Sequence, residues 1–189
     1  MRFFVLEADK GYATAAQIVN WYKELDIRDL HEGGYDKIPR RTLLRIQPNE
    51  KTVFLDVISS PFFLMTEKIM KCTALYEPNL LFKEMILLDQ KNGKTQTYFH
   101  PMLRELDCLT ENCIFNLDHS ELKEIELEEE KTEDKAIFRL SEVKKSCVIV
   151  RLDLLESMLR RGAIGFSIRE VKVRKGTKKC QNQGEKKNI

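Results

Sequence analysis

The stretch that decides the fold runs from Phe62 to Leu88 and reads FFLMTEKIMKCTALYEPNLLFKEMILL. Its first four residues are apolar, as in a short buried strand, and Thr66 stands where the N-cap of a following helix belongs. Over residues 66–77 the apolar side chains recur at helical spacing, until a Pro-Asn pair ends the pattern. Residues 80–88 return to a nearly continuous apolar run. This order predicts a strand–helix–strand unit.

The same order of patterns recurs near the end of the chain, over residues 147–173, which read CVIVRLDLLESMLRRGAIGFSIREVKV. Here the patterns predict a strand over 147–151, a helix over 152–161 with Gly162 as its C-cap, and an alternating strand over 165–173. The two stretches have equal length but little side-chain identity. They are either a repeat of pattern or two instances of a common motif. Both interpretations predict an α+β fold with mixed sheets and two strand–helix–strand units.

The rest of the chain divides around these units. Residues 2–7 are typical of a strand, and residues 14–25 have the spacing of an amphipathic helix. We therefore expect a separate N-terminal α+β region over residues 1–60 that packs on a body formed by residues 61–173. Residues 174–189 carry six basic side chains and one acidic one, which predicts a disordered basic tail.

Composition excludes some classes of function. The 189 residues include 32 basic and 30 acidic side chains, so the net charge is +2, which argues against a nucleic-acid-binding protein. The tail contributes +5, which leaves −3 on the remainder, and residues 118–134 alone carry −7. No apolar run has the length of a secretory signal or a membrane span. We expect a cytoplasmic protein with no membrane partner and with its cysteines as thiols.

Motifs for catalysis or cofactor binding are missing from the sequence, so we expect no catalytic residues, no cofactor and no metal. Three alternatives stay open. The first is a hydrolase that uses His100 or His119 with a nearby cysteine or aspartate. The second is a zinc site that joins these two histidines to Cys108 and Cys113, although a second closely spaced cysteine pair is missing.

The third alternative is a small-molecule or nucleotide-binding module. The Gly33-Gly34 pair allows a close backbone approach, and Arg40, Arg41 and Arg45 follow it. No helix start is visible after the glycines, and a loop is the plainer interpretation. His31 lies in the same loop and is expected to be solvated.

Two groups of residues are candidates for binding a protein partner. A run of glutamates is typical of a solvated loop, but it also provides a surface that attracts a basic partner. Aromatic side chains dominate the energetics of many interfaces, although a tryptophan also fits a core. The candidate residues are Trp21, Tyr22, Glu126, Glu128, Glu129 and Glu130.

Residues 62–173 resemble a family of immunity proteins from bacterial polymorphic toxin systems, the family catalogued as the eleventh immunity class. The family has a Ser-Glu-led helix, a tyrosine-containing strand, an "ldl…S" segment, an "iFR" strand and a final "tGf" turn. The second Ser-Glu position departs from this pattern, since Arg151-Leu152 stands there. The matching residues are Thr66-Glu67, Tyr98, Leu106-Asp107-Cys108-Leu109, Asp118-His119-Ser120, Ile137-Phe138-Arg139 and Ile164-Gly165-Phe166.

The resemblance implies a protein that is encoded beside a toxin and neutralises it by tight binding. It implies a non-catalytic mechanism, in which the immunity protein occludes the active surface of its cognate toxin. It leaves the identity of that toxin open.

Overall fold

The computed structural model of the protein describes residues 1–117, 122–141, 143 and 146–175. These residues form two α-helices, α1 (Glu67–Tyr76) and α2 (Leu152–Arg160), and fourteen strands. The predicted mixed α+β class is confirmed, although strands predominate. In chain order the strands are β1 (Phe3–Ala8), β2 (Ile18–Val19), β3 (Arg41–Ile46), β4 (Val57–Ile58), β5 (Leu64–Thr66), β6 (Phe82–Asp89), β7 (Lys94–Pro101), β8 (Glu105–Leu106), β9 (Ile114–Phe115), β10 (Leu122–Glu124), β11 (Glu126–Glu128), β12 (Ile137–Leu140), β13 (Val148–Arg151) and β14 (Phe166–Arg174).

Most strands belong to two six-stranded sheets. Sheet I has the order β2-β3-β6-β7-β5-β4, and sheet II has the order β11-β14-β1-β13-β12-β8. Both predicted strand–helix–strand units are present, as β5-α1-β6 in sheet I and β13-α2-β14 in sheet II. Their helix and strand bounds agree with the prediction to within about two residues, which is the usual uncertainty at element ends.

The two sheets share one topology. In each unit the two strands run parallel to each other on either side of a third, antiparallel strand, which is β7 in sheet I and β1 in sheet II. A further strand then pairs in parallel with the strand after the helix, β3 with β6 and β11 with β14. On the other side, β4 and β12 pair antiparallel with the strand before the helix. The two sheets thus share a spatial arrangement of five strands and a helix, although the central strand follows the unit in sheet I (β7) and comes from the start of the chain in sheet II (β1).

Residues 1–60 do not lie apart from the body. Phe3–Ala8 forms the strand between β13 and β14, and three more strands from this region belong to sheet I. The helix predicted over residues 14–25 is wrong, because this stretch forms the short strand β2 and a single 3-10 turn at Trp21–Lys23. At the other end, Arg174 completes β14, and the predicted tail from residue 176 onward lies outside the described residues.

The two helices pack against each other in antiparallel directions. Lys68 Nζ near the start of α1 donates to the carbonyl of Gly162 just after α2 (2.8 Å), and Tyr76 Oη at the end of α1 donates to the carbonyl of Asp153 (3.2 Å). Apolar side chains from both helices and from the helix-facing sides of both sheets form one central core. The two repeats thus stabilise each other by burying a shared apolar surface.

A non-repetitive segment covers the outer side of each sheet. Side chains from residues 16–38 pack on sheet I, and side chains from residues 106–115 and 122–127 pack on sheet II. These segments complete two outer cores, so the outer sides of both sheets are buried. The helix-facing sides are the ones that α1 and α2 have to cover.

The end of α2 confirms Gly162 as the glycine of the C-cap. Its φ of +69° is left-handed, its N–H donates to the carbonyl of Leu159 (2.9 Å), and the N–H of Ala163 donates to that of Met158 (3.2 Å). This pair of bonds is the Schellman motif, which satisfies carbonyls that the helix leaves without partners.

Candidate partner-binding surface

The helix-facing side of β3, β6 and β7 carries a regular grid of side chains. β3 pairs with β6 in parallel and β6 pairs with β7 antiparallel, so the register sets one residue of each strand side by side. Alternate residues of a strand share a face of the sheet. Counted away from α1, the three rows are Arg41–Glu84–Phe99, Leu43–Ile86–Thr97 and Arg45–Leu88–Thr95.

Helix α1 leaves two of these three rows uncovered. It lies over β5 and β7, and Phe99 in the first row packs against the central core. In the second and third rows, Leu43 is 50% exposed and Ile86 and Leu88 are half-buried. We call these two rows the open face; they consist of Leu43, Arg45, Ile86, Leu88, Thr95 and Thr97.

Sheet II has the equivalent surface, which allows a comparison within one chain. β6 and β14 each begin six residues after the last residue of the preceding helix. Counted from these starts, Ile86 corresponds to Glu170 and Leu88 corresponds to Lys172.

On sheet II these positions carry charged side chains with partners. Arg2 Nε donates to the Glu170 carboxylate (2.7 Å), and this hydrogen bond lowers the pKa of Glu170. Lys172 Nζ lies 3.0 Å from Glu124 Oε2. These two positions of sheet II thus carry paired charges, although Ile168 on the same strand is exposed, whereas the matching positions on sheet I carry apolar side chains. Exposed groups of apolar side chains at a polar rim mark interaction sites.

Arginines border the open face. Arg41, in the first row, pairs with Glu84 beside it (2.8 Å between Nη2 and Oε2). Arg45, in the third row, is exposed and forms no ion pair within the described part of the chain. The open face therefore combines an apolar centre with a cationic side chain that forms no ion pair with any described acidic residue.

The two predicted aromatic anchors lie close together but differ in exposure. Trp21 meets Phe62 edge to face, with ring centroids 6.2 Å apart, and packs against the outer core of sheet I. Tyr22 is 64% exposed and donates its hydroxyl to Asn20 Oδ1 (3.2 Å). Both follow directly after β2, at the edge of sheet I where β2 pairs with β3. Trp21 thus contributes to packing, and Tyr22 is free to contact a partner.

The predicted acidic run lies on sheet II, at the edge strand β11 and the turn after it. Glu126 accepts hydrogen bonds from Thr110 Oγ1 and Asn112 Nδ2 (2.7 Å each), which lower its pKa. Glu128 pairs with Arg174 (3.0 Å) and with Lys131 (2.9 Å). Both carboxylates are therefore engaged in hydrogen bonds or ion pairs with other side chains of the protein.

The remaining two glutamates follow in the turn. Glu129 pairs with the N-terminal amine, and this hydrogen bond lowers its pKa. Glu130 is exposed, and no ion pair within the described residues involves it. The acidic run and the two aromatic residues belong to different sheets, so the predicted binding residues do not form one surface.

The residues of the alternative zinc site are distributed over both sheets. His100 is buried on β7 in sheet I, where its Nδ1 lies 2.8 Å from the carbonyl of Phe63, and burial lowers its pKa to about 4. Cys108 and Cys113 belong to the outer core of sheet II. His119 lies outside the described residues. Among those that are described, no three histidine, cysteine or acidic side chains lie together as metal ligands would.

His31 is not a simple solvated loop residue. Its Nδ1 lies 2.5 Å from Glu105 Oε1, and the same carboxylate pairs with the guanidinium of Arg139. Next to this group, Arg104 Nη1 pairs with Glu32 (2.9 Å). The loop that covers sheet I is thereby linked to β8 and β12 of sheet II. Partial burial and the positive charge of Arg139 lower the pKa of His31.

The glycine pair of the same loop has a packing role. A Cβ at position 34 would lie 2.6 Å from Cα of Asp29, so the loop closes on itself only with glycine there. The 3-10 helix that follows, Tyr35–Lys37, has only three residues. Of the three arginines in the nucleotide alternative, Arg41 pairs with Glu84, while Arg40 and Arg45 are exposed.

Comparison with known proteins adds no assignment: no protein-family model matches the chain, and a search of curated proteins found no match. Within the described residues, neither helix has the length or the apolar character that crossing a membrane requires.

Sequence reasoning missed the open face. Leu43, Ile86 and Leu88 stand in apolar runs, and such runs are typical of strands that are buried on both sides. One signal was available, since Arg41 and Arg45 alternate with Leu43 and so share its side of the strand. That alternation indicates that one side of β3 reaches solvent.

Proposed function

We propose that the chain is a non-catalytic immunity protein that binds a cognate bacterial toxin in the cytoplasm, and that the open face forms the centre of the binding surface. The observation that supports this proposal is the contrast between the two sheets. Equivalent positions carry Ile86 and Leu88 on sheet I but the ion-paired Glu170 and Lys172 on sheet II.

Solubility alone does not account for that contrast. The chain already places paired charges at the matching positions of sheet II, so an apolar group at these positions of sheet I is a local feature of one repeat. Burying these apolar side chains in a complex would contribute about 25 cal/mol of binding free energy per Å² of apolar surface. A stable interface buries about 800 Å² on each partner, so the open face forms the centre of a larger binding surface.

The charged side chains expected to contact the toxin differ from those that the sequence predicts. Glu126, Glu128 and Glu129 have partners within the chain, so they contribute less to attracting a basic protein than the sequence indicates. Arg45 lies on the open face without an ion pair among the described residues. The toxin surface that fits this face is apolar with acidic groups at its rim.

Ile86→Asp is expected to weaken toxin binding. The change places a carboxylate at the centre of the open face, where a complex would have to desolvate it. Loss of a central contact in an interface costs about 2 kcal/mol or more, so Kd should rise about 30-fold or more. The measurement is isothermal titration calorimetry with the product of the adjacent gene, which the proposal predicts to encode the toxin.

Ile168→Asp provides the matched control. Ile168 is exposed on the helix-facing side of β14 in sheet II, so the same substitution on the other sheet should leave Kd within about twofold. Circular dichroism melts of both variants show whether they are folded. An equal loss of binding in both variants, or none in Ile86→Asp, would contradict the assignment of the surface. If the wild-type chain does not bind the toxin at micromolar concentration, the proposed function itself is wrong.

A further inference from the structure

One edge of sheet I is only partly paired. β2 pairs with β3 at its last two residues, Arg45 and Ile46, and does not extend along the first four. Asn20, directly after β2, adopts a left-handed backbone with φ of +53°, and the chain continues into a 3-10 turn. Among the described strands, none therefore pairs with the outer edge of residues 41–44.

The backbone groups on that edge can be assigned from the register. The N–H of Glu84 donates to the carbonyl of Arg40 (2.9 Å), so the even-numbered residues of β3 hydrogen-bond to β6. The odd-numbered residues face the other way. The N–H of Gln47, which donates to the carbonyl of Gln17 (2.8 Å), has this orientation. The N–H and C=O groups of Arg41 and Leu43 consequently point outward from sheet I.

The outward backbone groups lie directly beside the open face, since Leu43 belongs to that face and Arg41 borders it. Arg41 and Leu43 present their amides at the edge and their side chains on the helix-facing side. A strand that paired there would continue sheet I and would bring every second side chain next to those of β3. Strand addition of this kind combines main-chain hydrogen bonds with side-chain selection.

We infer that the toxin adds an extended segment to the free edge of β3 at residues 41–44, and that the side chains this segment places on the helix-facing side are an apolar one with acidic ones two residues before and after it. This inference rests on the proposed function. An apolar side chain of the segment lies beside Leu43, and acidic side chains meet Arg41 and Arg45. Unpaired strand edges attract other chains unless they are covered or charged, and the arginines select an acidic segment over a second copy of this basic strand.

Hydrogen exchange measured by NMR tests the inference on the unmodified chain. In the free protein, the amides of Thr42 and Leu44 should exchange slowly and those of Arg41 and Leu43 fast, because only the first pair is bonded to β6. In the complex with the product of the neighbouring toxin-like gene, the exchange of Arg41 and Leu43 should slow at least about tenfold. The amides of Thr42 and Leu44 serve as internal controls.

A charge reversal tests the chemistry of the segment. Arg45→Glu should raise Kd for the toxin about tenfold and weaken its dependence on salt, since a cation on the binding face is replaced by an anion. Lys172→Glu, the same reversal on the helix-facing side of sheet II, should leave Kd unchanged. Equal effects of the two reversals would contradict recognition at this edge.

The outcomes separate the inference from the proposed function. Suppose that the toxin binds and Ile86→Asp prevents binding, but the amides of Arg41 and Leu43 still exchange fast in the complex. Then strand addition is wrong, while the open face remains the proposed binding surface. If these amides are already protected in the free chain and light scattering shows a dimer, a second copy occupies the edge and the inference is wrong. If the toxin does not bind, both proposals fail.

Discussion

Alanine in place of Gly165 is expected to lower the free energy of unfolding by about 3 kcal/mol. Gly165 has a φ of +76°, which side chains with a Cβ rarely adopt, and a Cβ there would lie 2.6 Å from Cδ2 of Leu55. Leu55 is buried, and the carbonyl of Gly165 accepts a hydrogen bond from the N–H of Asp9 (3.1 Å). The backbone at Gly165, where β14 begins beside the end of β1, therefore cannot shift to accommodate a Cβ without losing this hydrogen bond or the packing of Leu55. Urea unfolding followed by circular dichroism measures the loss.

Gly162→Ala is the matched control for this substitution. Its φ of +69° is almost the same, but among the described residues, its own chain neighbours aside, no atom lies within 4 Å of the added Cβ. Gly162→Ala should lower the free energy of unfolding only by the cost of placing alanine in a left-handed backbone conformation, about 1 kcal/mol. If both variants lose the same free energy of unfolding, the contact with Leu55 does not contribute to the loss, and the larger effect expected for Gly165→Ala is wrong.

Asp56→Ala is expected to cost about 3 kcal/mol, because it removes an acceptor that three groups share. The buried Asp56 carboxylate accepts from Thr66 Oγ1 (2.7 Å) and from the N–H of Ile164 (2.8 Å), and it pairs with Lys68 Nζ (2.7 Å). Thr66 and Lys68 belong to the first repeat, and Ile164 belongs to the second. The carboxylate thus joins the two repeats, and its loss leaves polar groups of both without a partner.

Glu67→Ala serves as the control for Asp56→Ala. Glu67 pairs with Lys71 at a distance of 2.7 Å, but both side chains are mostly exposed. Such pairs contribute at most about 0.5 kcal/mol. A loss at Asp56 as small as that would contradict its role as the link between repeats.

Asp56 also makes stability depend on pH in the acid range. Burial raises its pKa, but the hydrogen bonds from Lys68, Thr66 and Ile164 outweigh burial and hold the pKa below its ordinary value. A lowered pKa in the folded state stabilises the fold fully above the unfolded pKa of about 4. That contribution is lost as the pH falls through the folded pKa. The acid-induced loss of stability should be smaller in Asp56→Asn than in the wild-type protein.

The two helical units were predictable because their signals are local. The helical spacing, the Pro-Asn pair after α1 and Gly162 after α2 act within a few residues. Thr66 does occupy the N-cap position, but its hydroxyl binds Asp56 rather than a backbone N–H of α1. The local pattern predicts that the Thr66 side chain caps α1, but in the fold this hydroxyl donates to the carboxylate of Asp56 instead.

The arrangement of the sheets was not predictable in the same way. β1 pairs with strands that lie almost the whole chain away, and nothing in its own residues encodes those partners. The apolar spacing over residues 14–25 fits a helix, yet Ile18 pairs with Ile46 and Trp21 packs on Phe62. Burial against sheet I satisfies these apolar side chains without a helix, and tertiary packing overrides the local preference.

The candidate site depends on the same long-range geometry. Whether Ile86 and Leu88 are buried depends on how far α1 extends across sheet I, which the sequence of β6 does not state. The glutamate run illustrates the opposite case, since its charge was visible but its partners were not. Arg174 and the N-terminal amine come from the two ends of the described chain to pair with Glu128 and Glu129.

The central claim is that the open face neutralises a toxin, and a titration of toxin activity tests it most directly. The toxin that the proposed function places next to this gene is purified and assayed with increasing amounts of the wild-type chain, Ile86→Asp and Ile168→Asp. We predict that the wild-type chain and Ile168→Asp abolish toxin activity at about one equivalent, as tight stoichiometric binding requires, whereas folded Ile86→Asp leaves most of it at that point. Complete inhibition by folded Ile86→Asp at one equivalent, or no inhibition by the wild-type chain, would contradict the account.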